Sequence, residues 1–425
     1  MKIAVIGAGI AGNVAAYHLA RDHQVTVFEA GSYVGGHTHT HAVEQHGRHY
    51  NIDTGFIVFN DWTYPNFIRL LDELDVRSQV SQMSFSVRDE TSGLEYNGTT
   101  LNTLFAQRRN LLRPKFWLMI RDILRFSREA PAVLDESSDD TTLGEYLFTN
   151  NYSREFIEHY IIPMGAAIWS TDAQNMRRFP ARYFVRFFHN HGMLSVDARP
   201  QWRVIEGGSA CYVEKLTASF RERIRLNTPV DTIRRLPGCV LIKTAGNEAE
   251  TFDAAFLACH SDEALKLLAD PSPQELEVLS AIPYQHNEAV LHTDTRLMPR
   301  RRLAWAAWNY HVLPQPEERV ALTYNMNILQ GIDASAPFFV TLNNTAAINP
   351  TKIIKRLSYS HPLYTLRGVA AQARQEEING PLNTYYCGAY WRNGFHEDGV
   401  VSALAALEHF NERHDYAQRA LFRTA

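Results

Sequence analysis

The feature that constrains the fold most is a glycine-rich turn between two apolar segments at the start of the chain. Residues 1–6 have the pattern of a short buried strand, and the turn GAGIAG occupies residues 7–12. The apolar spacing in residues 13–21 predicts a helix, and residues 24–28 predict a second strand that ends at Glu29. Strand, tight turn, helix and parallel strand form one βαβ unit, which predicts a doubly wound α/β domain.

The glycines stand where a dinucleotide-binding turn requires them. Gly7 permits the tight turn, Gly9 lets the backbone approach a pyrophosphate, and Gly12 lets the helix pack closely on the strand. Ile10 and Ala11 lie inside this glycine turn, and we assign them to the same site beside the first turn of the predicted helix. That turn offers unpaired donors and the positive end of the helix dipole to phosphates. We therefore predict a dinucleotide site at this turn.

The acidic residue at the end of the second strand limits which dinucleotides can bind. Glu29 follows the glycine turn at the distance expected of a residue that accepts hydrogen bonds from a ribose hydroxyl. We place Ala30 beside it in the same site. A phosphorylated ribose would bring two anions together there, and NADP is therefore disfavoured.

Composition limits the remaining classes of protein. The 425 residues suffice for two or three domains, and the net charge of −4 gives no reason to expect nucleic acid binding. No apolar run approaches the roughly 20 residues that span a bilayer, and no signal-peptide cleavage site precedes the glycine turn. The four cysteines lack metal or redox spacing, which indicates free thiols in a reducing compartment. We expect a cytoplasmic enzyme.

A second glycine pair follows the first unit. Gly35 and Gly36, followed by His37 and Thr38, resemble a pair found in flavoproteins of the amine oxidase, protoporphyrinogen oxidase and phytoene desaturase superfamily. In that superfamily the pair brings backbone close to the FAD diphosphate. The resemblance implies that these four residues contact FAD. The superfamily usually has Arg after the pair, and His37 replaces that cation while the backbone contacts are retained.

The next stretch alternates like a β-hairpin. His37, His39 and His41 would lie on one face of a strand, but no acid or cysteine completes a metal-ligand set, and no metal is predicted. Further on, Asp53 and Gly55 resemble the short Asp-x-Gly element with which the superfamily returns the chain toward the flavin. The resemblance therefore implies that both residues lie at the cofactor.

Two later blocks also resemble parts of the cofactor site. Val230 is similar to the valine whose backbone holds the adenine in the superfamily. A C-terminal block is similar to the motif in which a strand, a glycine and a loop lead into a helix that points at the flavin ring. The residues assigned to that motif are Gly388, Glu397, Asp398, Gly399 and Val400. The resemblance implies that Asp398 approaches the ribityl chain.

Together these motifs imply an α/β protein with a Rossmann-type, glutathione-reductase-like FAD-binding domain and an inserted α+β substrate domain. The FAD-binding domain is predicted to comprise residues 1–62, 200–282 and 382–425. The substrate domain is predicted to comprise residues 63–199 and 283–381. Within the superfamily, the chain is most similar to a bacterial NAD/FAD-binding group.

The resemblance implies an FAD-dependent oxidoreductase, in which the flavin takes a hydride from a substrate carbon and passes electrons to oxygen or another acceptor. No second Gly-x-Gly-x-x-Gly forms a nicotinamide domain. Amine oxidases usually carry a lysine in a strand that corresponds to residues 284–292 here, and this strand contains none. No cysteine occupies the position of covalent flavin attachment, so we expect noncovalent FAD.

The aromatic substrate region favours a hydrophobic substrate, such as a fatty acyl chain or another lipid. Three alternatives stay open: a flavin-dependent isomerase of unsaturated lipids, an amine oxidase, and a protein that binds FAD without turnover. The candidates for proton transfer are His286, Asn287, Tyr390 and His396, which lie in segments that face the ring in relatives. For each of them the alternative is a structural role.

Residues 107–128 combine basic and bulky apolar side chains. A helix of this composition suits a membrane interface. The alternative is a surface helix that packs its apolar face on the domain. Both interpretations stay open at this stage, and peripheral membrane contact through this segment is kept as a hypothesis.

Overall fold

The computed structural model describes residues 1–135, 140–195, 199–314 and 319–423. Residues 136–139, 196–198 and 315–318 of the predicted substrate domain lie outside the described residues, as do residues 424–425 of the predicted FAD-binding domain. The described strands are β1 (Lys2–Ile6), β2 (Gln24–Phe28), β3 (Thr40–Gln45), β4 (Arg48–Asp53), β5 (Phe59–Asn60), β6 (Ser78–Val80), β7 (Phe85–Asp89), β8 (Glu95–Asn97), β9 (Trp202–Ile205), β10 (Ile224–Arg225), β11 (Val230–Leu236), β12 (Cys239–Thr244), β13 (Glu250–Phe252), β14 (Ala254–Leu257), β15 (Tyr284–His292), β16 (Trp308–Val312), β17 (Leu322–Asn325), β18 (Phe339–Leu342), β19 (Ile353–Pro362) and β20 (Thr384–Tyr386).

The described helices are α1 (Ile10–Leu19), α2 (Pro65–Glu73), α3 (Leu101–Leu104), α4 (Pro114–Glu129), α5 (Leu143–Thr149), α6 (Arg154–Phe156), α7 (Ile162–Trp169), α8 (Ala173–Arg178), α9 (Ala181–Asn190), α10 (Ala210–Thr217), α11 (Ser261–Leu267), α12 (Pro273–Ser280), α13 (Met326–Leu329), α14 (Leu366–Gln372), α15 (Gln375–Ile378) and α16 (His396–Arg423). None of these described helices combines the length and the apolar composition needed to cross a membrane.

A five-stranded parallel sheet forms the first domain, with strand order β10-β2-β1-β14-β20. Side chains of β1 alternate between two cores: Ile3 and Val5 pack with α1 and α16, while Ala4 and Ile6 pack with β11, β12 and α12. Burial on both faces explains why the strand is apolar throughout. The doubly wound α/β fold expected from the sequence is confirmed.

The second domain is built on a seven-stranded sheet of order β19-β15-β18-β17-β16-β7-β8. Its longest pairing joins β15 and β19 as antiparallel neighbours, with Asn287 opposite Tyr359. The α4 helix packs Phe116 and Met119 into the same apolar cluster as this sheet. The exact domain boundaries stay a prediction, although the strands of the parallel sheet come from three separate parts of the chain as expected.

Several elements differ from their predicted bounds. The first helix begins at Ile10 rather than Asn13, because Gly9 already has the extended conformation of an N-cap. The helix α10, which the sequence pattern extends to about Arg223, ends at Thr217, since a 3₁₀ turn at Arg221–Arg223 leads directly into the short parallel strand β10. The C-terminal helix, for which the sequence pattern predicts residues 399 to about 410, begins at His396 and extends to Arg423.

The hairpin after the second glycine pair is present, with β3 and β4 paired in antiparallel register. Its first strand begins only at Thr40, so His37 and His39 precede it. The expectation that three histidines share one strand face is therefore wrong. The cause is a turn in which Gly35 has a φ of 135° and Thr38 N–H donates to the Gly35 carbonyl at 3.0 Å.

Candidate active site

The two glycine motifs are in direct contact. Gly7 has a φ of 101°, and a Cβ on it would lie 2.8 Å from the Ala258 carbonyl oxygen. Gly35 N–H donates to the Ala8 carbonyl at 2.8 Å, and a Cβ on Gly36 would lie 3.1 Å from the Cα of Gly9. Only glycine fits such close backbone approaches, and the two turns therefore form one continuous surface.

This surface meets the N-terminus of α1. Gly9 is the N-cap, no described side chain caps the helix, and its first turn carries no acid. No described atom lies within 4 Å of the position that a Cβ on Gly9 would take. Space, unpaired N–H donors and a positive dipole end are what a phosphate group requires.

Glu29 holds the glycine turn by its carboxylate. Its Oε2 accepts from the Ala8 N–H at 2.8 Å, and its Oε1 accepts from the Gly31 N–H at 2.7 Å. Each carboxylate oxygen has a second lone pair for a ligand hydroxyl. Glu29 and Ala30 also border a cavity that begins at the glycine turns.

A single cavity of about 910 Å³ extends from the glycine turns into the second domain. The predicted site residues that line it are Gly7, Gly9, Ile10, Ala11, Glu29, Ala30, Gly35, Gly36, His37, Gly55, Val230, Gly388, Tyr390 and His396. They come from both ends of the chain and from its middle. The fold therefore brings the separated sequence motifs to one place.

The far end of the cavity is mainly apolar and aromatic. Its lining includes Met83, Phe85, Tyr160, Met164, Ile168, Trp169, Phe187, Met193, Trp308, Tyr324 and Tyr364. The helix α7 contributes Met164, Ile168 and Trp169 to this wall. Thioether and aromatic groups create a space suited to an apolar ligand.

Charged side chains in the lining are few and unevenly placed. The described acids are Glu29 and Glu263, both in the doubly wound domain, and no described lysine borders the cavity. Arg199 is the one described cationic Lys or Arg residue in the lining. Burial raises the pKa of Tyr160 at the apolar end, and the positive charge of Arg199 acts against this shift. Arg199 therefore lies close enough to Tyr160 for its charge to act at the apolar end. Among the described lining residues of the apolar end, the one Lys, Arg, Asp or Glu side chain is therefore a cation.

Several predicted cofactor residues do not border the cavity. Gly12 faces the Gly7 carbonyl, where a Cβ would lie only 1.9 Å from the oxygen, and Gly399 packs on Ile10. Val400 is buried in the core of the parallel sheet. Thr38 is buried, and its hydroxyl forms hydrogen bonds with Tyr212 Oη and His396 Nε2. These residues shape the site by close packing behind its wall.

Asp53 is likewise buried away from the cavity. It accepts hydrogen bonds from Thr40 Oγ1 at 2.5 Å, Ser209 Oγ at 2.7 Å and Gln330 Nε2 at 3.1 Å. Burial raises the pKa of its carboxyl to about 6, and the hydrogen bonds act against this shift. Asp53 thus joins the hairpin to α10, while its neighbour Gly55 reaches the cavity.

The two acids at the start of α16 also lie behind the wall. Glu397 accepts from the Asn66 and Phe67 backbone N–H groups, at 3.1 and 2.8 Å, and so caps α2. Asp398 accepts from the Phe395 N–H at 2.9 Å. Burial raises the pKa of Asp398 to about 7. Their backbone positions direct the N-terminus of α16 toward the cavity, where Phe395 and His396 line the wall.

His396 is the most firmly held of the predicted catalytic residues. Its Nε2 lies 2.8 Å from Tyr212 Oη and 3.0 Å from Thr38 Oγ1, and its ring stacks on Phe56 with centroids 3.6 Å apart. Burial lowers the pKa of His396 to about 3. The imidazole is therefore neutral at pH 7 and fixed in orientation.

Tyr390 and His286 have contrasting surroundings. Tyr390 borders the cavity, and its buried hydroxyl has no hydrogen-bond partner in the part of the chain that the structure describes. His286 is exposed and its Nε2 lies 2.6 Å from Ser358 Oγ, outside the cavity lining. A group that touches substrate must reach the cavity, and we therefore assign no chemistry to His286.

Asn287 is fully buried and acts through a histidine that the sequence did not single out. Its Nδ2 lies 2.9 Å from Nδ1 of His361, and its Oδ1 accepts from Asn343 Nδ2 at 2.7 Å. His361 borders the cavity, and burial lowers its pKa to about 4, with His260 adding to the shift. Tyr359 and His361 are two residues apart on β19, and this spacing could have indicated that both side chains lie on the same face of the strand. The sequence did not show that β19 pairs with β15.

His37 lies next to His361, with ring centroids 5.3 Å apart. Its Nε2 is buried and has no hydrogen-bond partner among the described residues. Burial holds the pKa of His37 well below its usual range, and His361 and His260 add to this. An unpaired nitrogen in the wall of a cavity is the kind of group that a bound ligand satisfies.

A glycine-turn domain and a second sheet domain that share one cavity define a dinucleotide-dependent enzyme of two-domain architecture. The sequence model of the flavin-containing amine oxidoreductase family matches residues 10–307, which is more than half of the chain. The chain belongs to this family of flavin-dependent oxidoreductases. The resemblance inferred from the separate motifs is confirmed.

Solved structures share the fold over nearly the whole chain. Cyclohexylamine oxidase from Brevibacterium oxydans IH-35A has a TM-score of 0.70 at 14% identity and covers 97% of this chain and 99% of that one. A CLA-producing fatty acid isomerase from P. acnes has a TM-score of 0.65 at 16% identity, with 96% and 98% covered. Putrescine oxidase bound to putrescine has a TM-score of 0.66 at 14% identity, with 97% and 99% covered. A search among curated proteins found no match.

Proposed function

We propose that the protein is an oxidoreductase that binds FAD noncovalently and acts on a hydrophobic, lipid-like substrate. The observation that carries this proposal is the single cavity of about 910 Å³, with glycine turns at one end and thioether and aromatic side chains at the other. Such a cavity can hold a dinucleotide and an apolar molecule in contact. We further propose a cytoplasmic location, consistent with four free cysteines.

The residues present fit FAD. Gly9, Ile10 and Ala11 would receive the diphosphate at the N-terminus of α1. Glu29 would accept a ribose hydroxyl, and the backbone at Val230 would lie against the adenine. When bound, FAD supplies the capacity to accept a hydride equivalent from a substrate carbon. The unpaired Nε2 of His37 supports a ligand contact at the same wall.

The cysteine nearest the site supports noncovalent binding. Cys259 lines the cavity, and burial raises the pKa of its thiol far above neutrality. The thiolate is the reactive form of cysteine, and a thiol held protonated is a poor nucleophile. We therefore expect the flavin to be released intact when the protein is denatured.

His361 is the group best placed to hold a proton at the cavity. The Asn343 side chain donates to the Val320 carbonyl at 3.0 Å, and its Oδ1 accepts from the Glu288 N–H at 2.9 Å. This orientation makes Asn287 donate to His361 Nδ1. The proton of the neutral ring then resides on Nε2, where it can be donated to an acceptor in the cavity.

The charges of the lining favour an anionic lipid over an amine. The apolar end contains Arg199 and, among its described residues, no carboxylate. An ammonium group would lose water there without gaining a counter-ion, whereas a carboxylate or phosphate would gain one. We therefore propose a lipid with an anionic head group as the substrate class.

The proposal is tested by anaerobic mixing of the FAD-loaded protein with an unsaturated fatty acid, an anionic phospholipid and a primary amine. Bleaching of the flavin absorbance by a lipid, with an oxidised lipid product, is the expected result. Bleaching by the amine alone would overturn the substrate class. A rearranged lipid formed without consumption of an electron acceptor would identify an isomerase and overturn net oxidation.

A further inference from the structure

The surface formed by Leu101, the 3₁₀ turn Arg108–Leu112 and the outer face of α4 is unusually basic and apolar; we refer to it as the α4 surface. Residues 101–129 contain seven cationic side chains and two acidic ones, on a chain whose net charge is −4. Leu112 is 88% exposed and Leu101 is 77% exposed. Exposed leucines within a basic segment need a physical explanation.

The outer face of α4 presents apolar and cationic groups together. Trp117, Arg121, Leu124 and Arg128 are spaced by four, three and four residues, and so they share one face of the helix. All four side chains are substantially exposed. Arg121 and Arg128 contact the carboxylates that follow them in sequence, so the excess charge comes mainly from the preceding turn.

The 3₁₀ turn and the residue that follows it supply cations without acidic partners among the described residues. Arg108 binds the Phe105 carbonyl at 2.9 Å, Arg109 binds the Gly93 carbonyl at 2.9 Å, and Arg113 binds Asn110 Oδ1 at 3.3 Å. None of the three forms an ion pair with any carboxylate of the described chain. Their full charges are available to an external anionic surface.

Contacts join the turn and the helix into one surface. Trp117 Nε1–H donates to the Leu111 carbonyl at 2.9 Å, and the rings of Trp117 and Phe105 lie 5.4 Å apart. Arg108 also binds Asn102 Oδ1 at 2.5 Å, which places Leu101 at the same edge. Leucine and tryptophan beside arginine form the composition of an interfacial membrane contact.

The inner face of α4 packs into an apolar cluster that also reaches the cavity lining. Phe116 and Met119 lie in the apolar cluster that also contains Phe85, Tyr160 and Trp308 of the cavity lining. The helix α4 and this cluster therefore lie between the α4 surface and the apolar end of the cavity. A substrate that dissolves in membranes would be available on this side of the domain.

We propose that the α4 surface docks the protein on an anionic lipid bilayer, with Leu112 and Trp117 inserted and the arginines on the head groups. The purpose of this docking rests on the proposed lipid substrate, but the contact itself does not require turnover. The charge excess and the exposed leucines select an anionic membrane over a neutral one. An acidic protein partner is the competing occupant, which the test excludes or favours.

The test is flotation of the purified, FAD-loaded protein with vesicles of phosphatidylcholine alone or with phosphatidylglycerol added. We expect binding to the anionic vesicles that weakens with salt, and at least about tenfold weaker binding for Leu112→Glu. Replacing Arg108 by Gln should weaken binding about fivefold. The matched control is Leu276→Glu on α12, where the leucine is 47% exposed and the charge change is the same.

Equal loss of binding in Leu276→Glu and Leu112→Glu would overturn the proposed surface. Absence of binding to both vesicle types, or equal binding to both, would overturn the bilayer as its occupant. Flavin bleaching by detergent-dispersed lipid, measured on the same samples, reports the proposed function separately. Loss of vesicle binding with retained bleaching would thus reject docking alone.

Discussion

The Nδ2 of Asn287 lies 2.9 Å from Nδ1 of His361, and Asn343 fixes the amide in the orientation that makes it the donor. A buried asparagine thus sets the tautomer of a histidine on the neighbouring strand. The proton of the neutral ring is placed on Nε2, on the side of the ring that is not bound to Asn287. The Nε2 atom of His361 therefore donates a hydrogen bond toward the cavity and is not free to accept a proton.

Replacing Asn287 by Asp should reverse this arrangement. A carboxylate accepts hydrogen bonds only, so the His361 proton should move to Nδ1 and the pKa of His361 should rise from about 4. Nitrogen NMR of histidine-labelled protein reports the tautomer, and the pH profile of flavin reduction should shift its acidic limb upward. His286→Gln, on the same strand but exposed, is the control. An unchanged tautomer in Asn287→Asp would contradict the account of this contact.

Two glycine substitutions separate cofactor binding from folding. Gly9→Ala places a methyl group in open space with a φ of −75°, so the fold should tolerate it at a cost below about 1 kcal/mol. The same methyl group should block the diphosphate and weaken FAD binding by at least about tenfold.

Gly7→Ala is the matched comparison, because it combines a φ of 101° with a contact of 2.8 Å to Ala258 O. It should lower the free energy of unfolding of the FAD-free protein by more than about 1 kcal/mol. Urea unfolding and FAD titration measure the two effects. Equal FAD affinity in Gly9→Ala and the wild type would contradict the placement of the diphosphate at this turn.

Buried ionisable groups predict pH effects of opposite sign. His396 has a folded pKa of about 3, well below the unfolded value of about 6.5. Its contribution to stability is complete above pH 6.5 and is lost as pH falls toward 3. His396→Gln should therefore gain stability relative to wild type on acidification, by up to about 1.4 kcal/mol per pH unit.

Asp398 should behave in the opposite way. Its folded pKa of about 7 exceeds the unfolded value of about 4, so ionisation above pH 4 destabilises the native state. Asp398→Asn should become more stable relative to wild type as pH rises from 4 to 7. Urea unfolding of the FAD-free proteins at pH 5, 6 and 7 measures both slopes, and His49→Gln, at an exposed histidine, is the control. Parallel curves for all variants would contradict the burial of these charges.

Arg199 predicts substrate preference. Arg199→Gln should weaken binding of an anionic lipid about fivefold to tenfold and leave FAD affinity unchanged, since the guanidinium borders the apolar end. Quenching of flavin fluorescence during lipid titration measures the affinity. Arg69→Gln, an exposed site on α2, gives the same change of charge elsewhere. An equal effect of both substitutions would assign the result to net charge rather than to this site.

The cofactor end of the site was largely predictable from the sequence, because glycine spacing carries backbone information. Gly9 and Gly36, for example, meet where local turn geometry places them. The roles of Asp53 and Glu397 were not predictable, since their partners Ser209 and Phe67 come from distant elements. A carboxylate beside a cofactor and one that caps a helix look alike in a sequence.

The substrate end was predictable only in composition. The aromatic segments indicated an apolar space, but the position of His361 depends on the antiparallel register of β15 and β19. That register fixes which residue of each strand faces its neighbour, and it is set by packing across the whole seven-stranded sheet. The sequence therefore directed attention to Asn287 and missed the histidine that it orients.

The central claim is that one cavity holds a noncovalent FAD beside an apolar substrate space. The absorbance spectrum of the purified protein, taken before and after denaturation and filtration, tests it most directly. We predict bands near about 375 and 450 nm that pass into the filtrate as FAD. A colourless protein that takes up no added FAD, or a chromophore retained with the denatured chain, would contradict the claim.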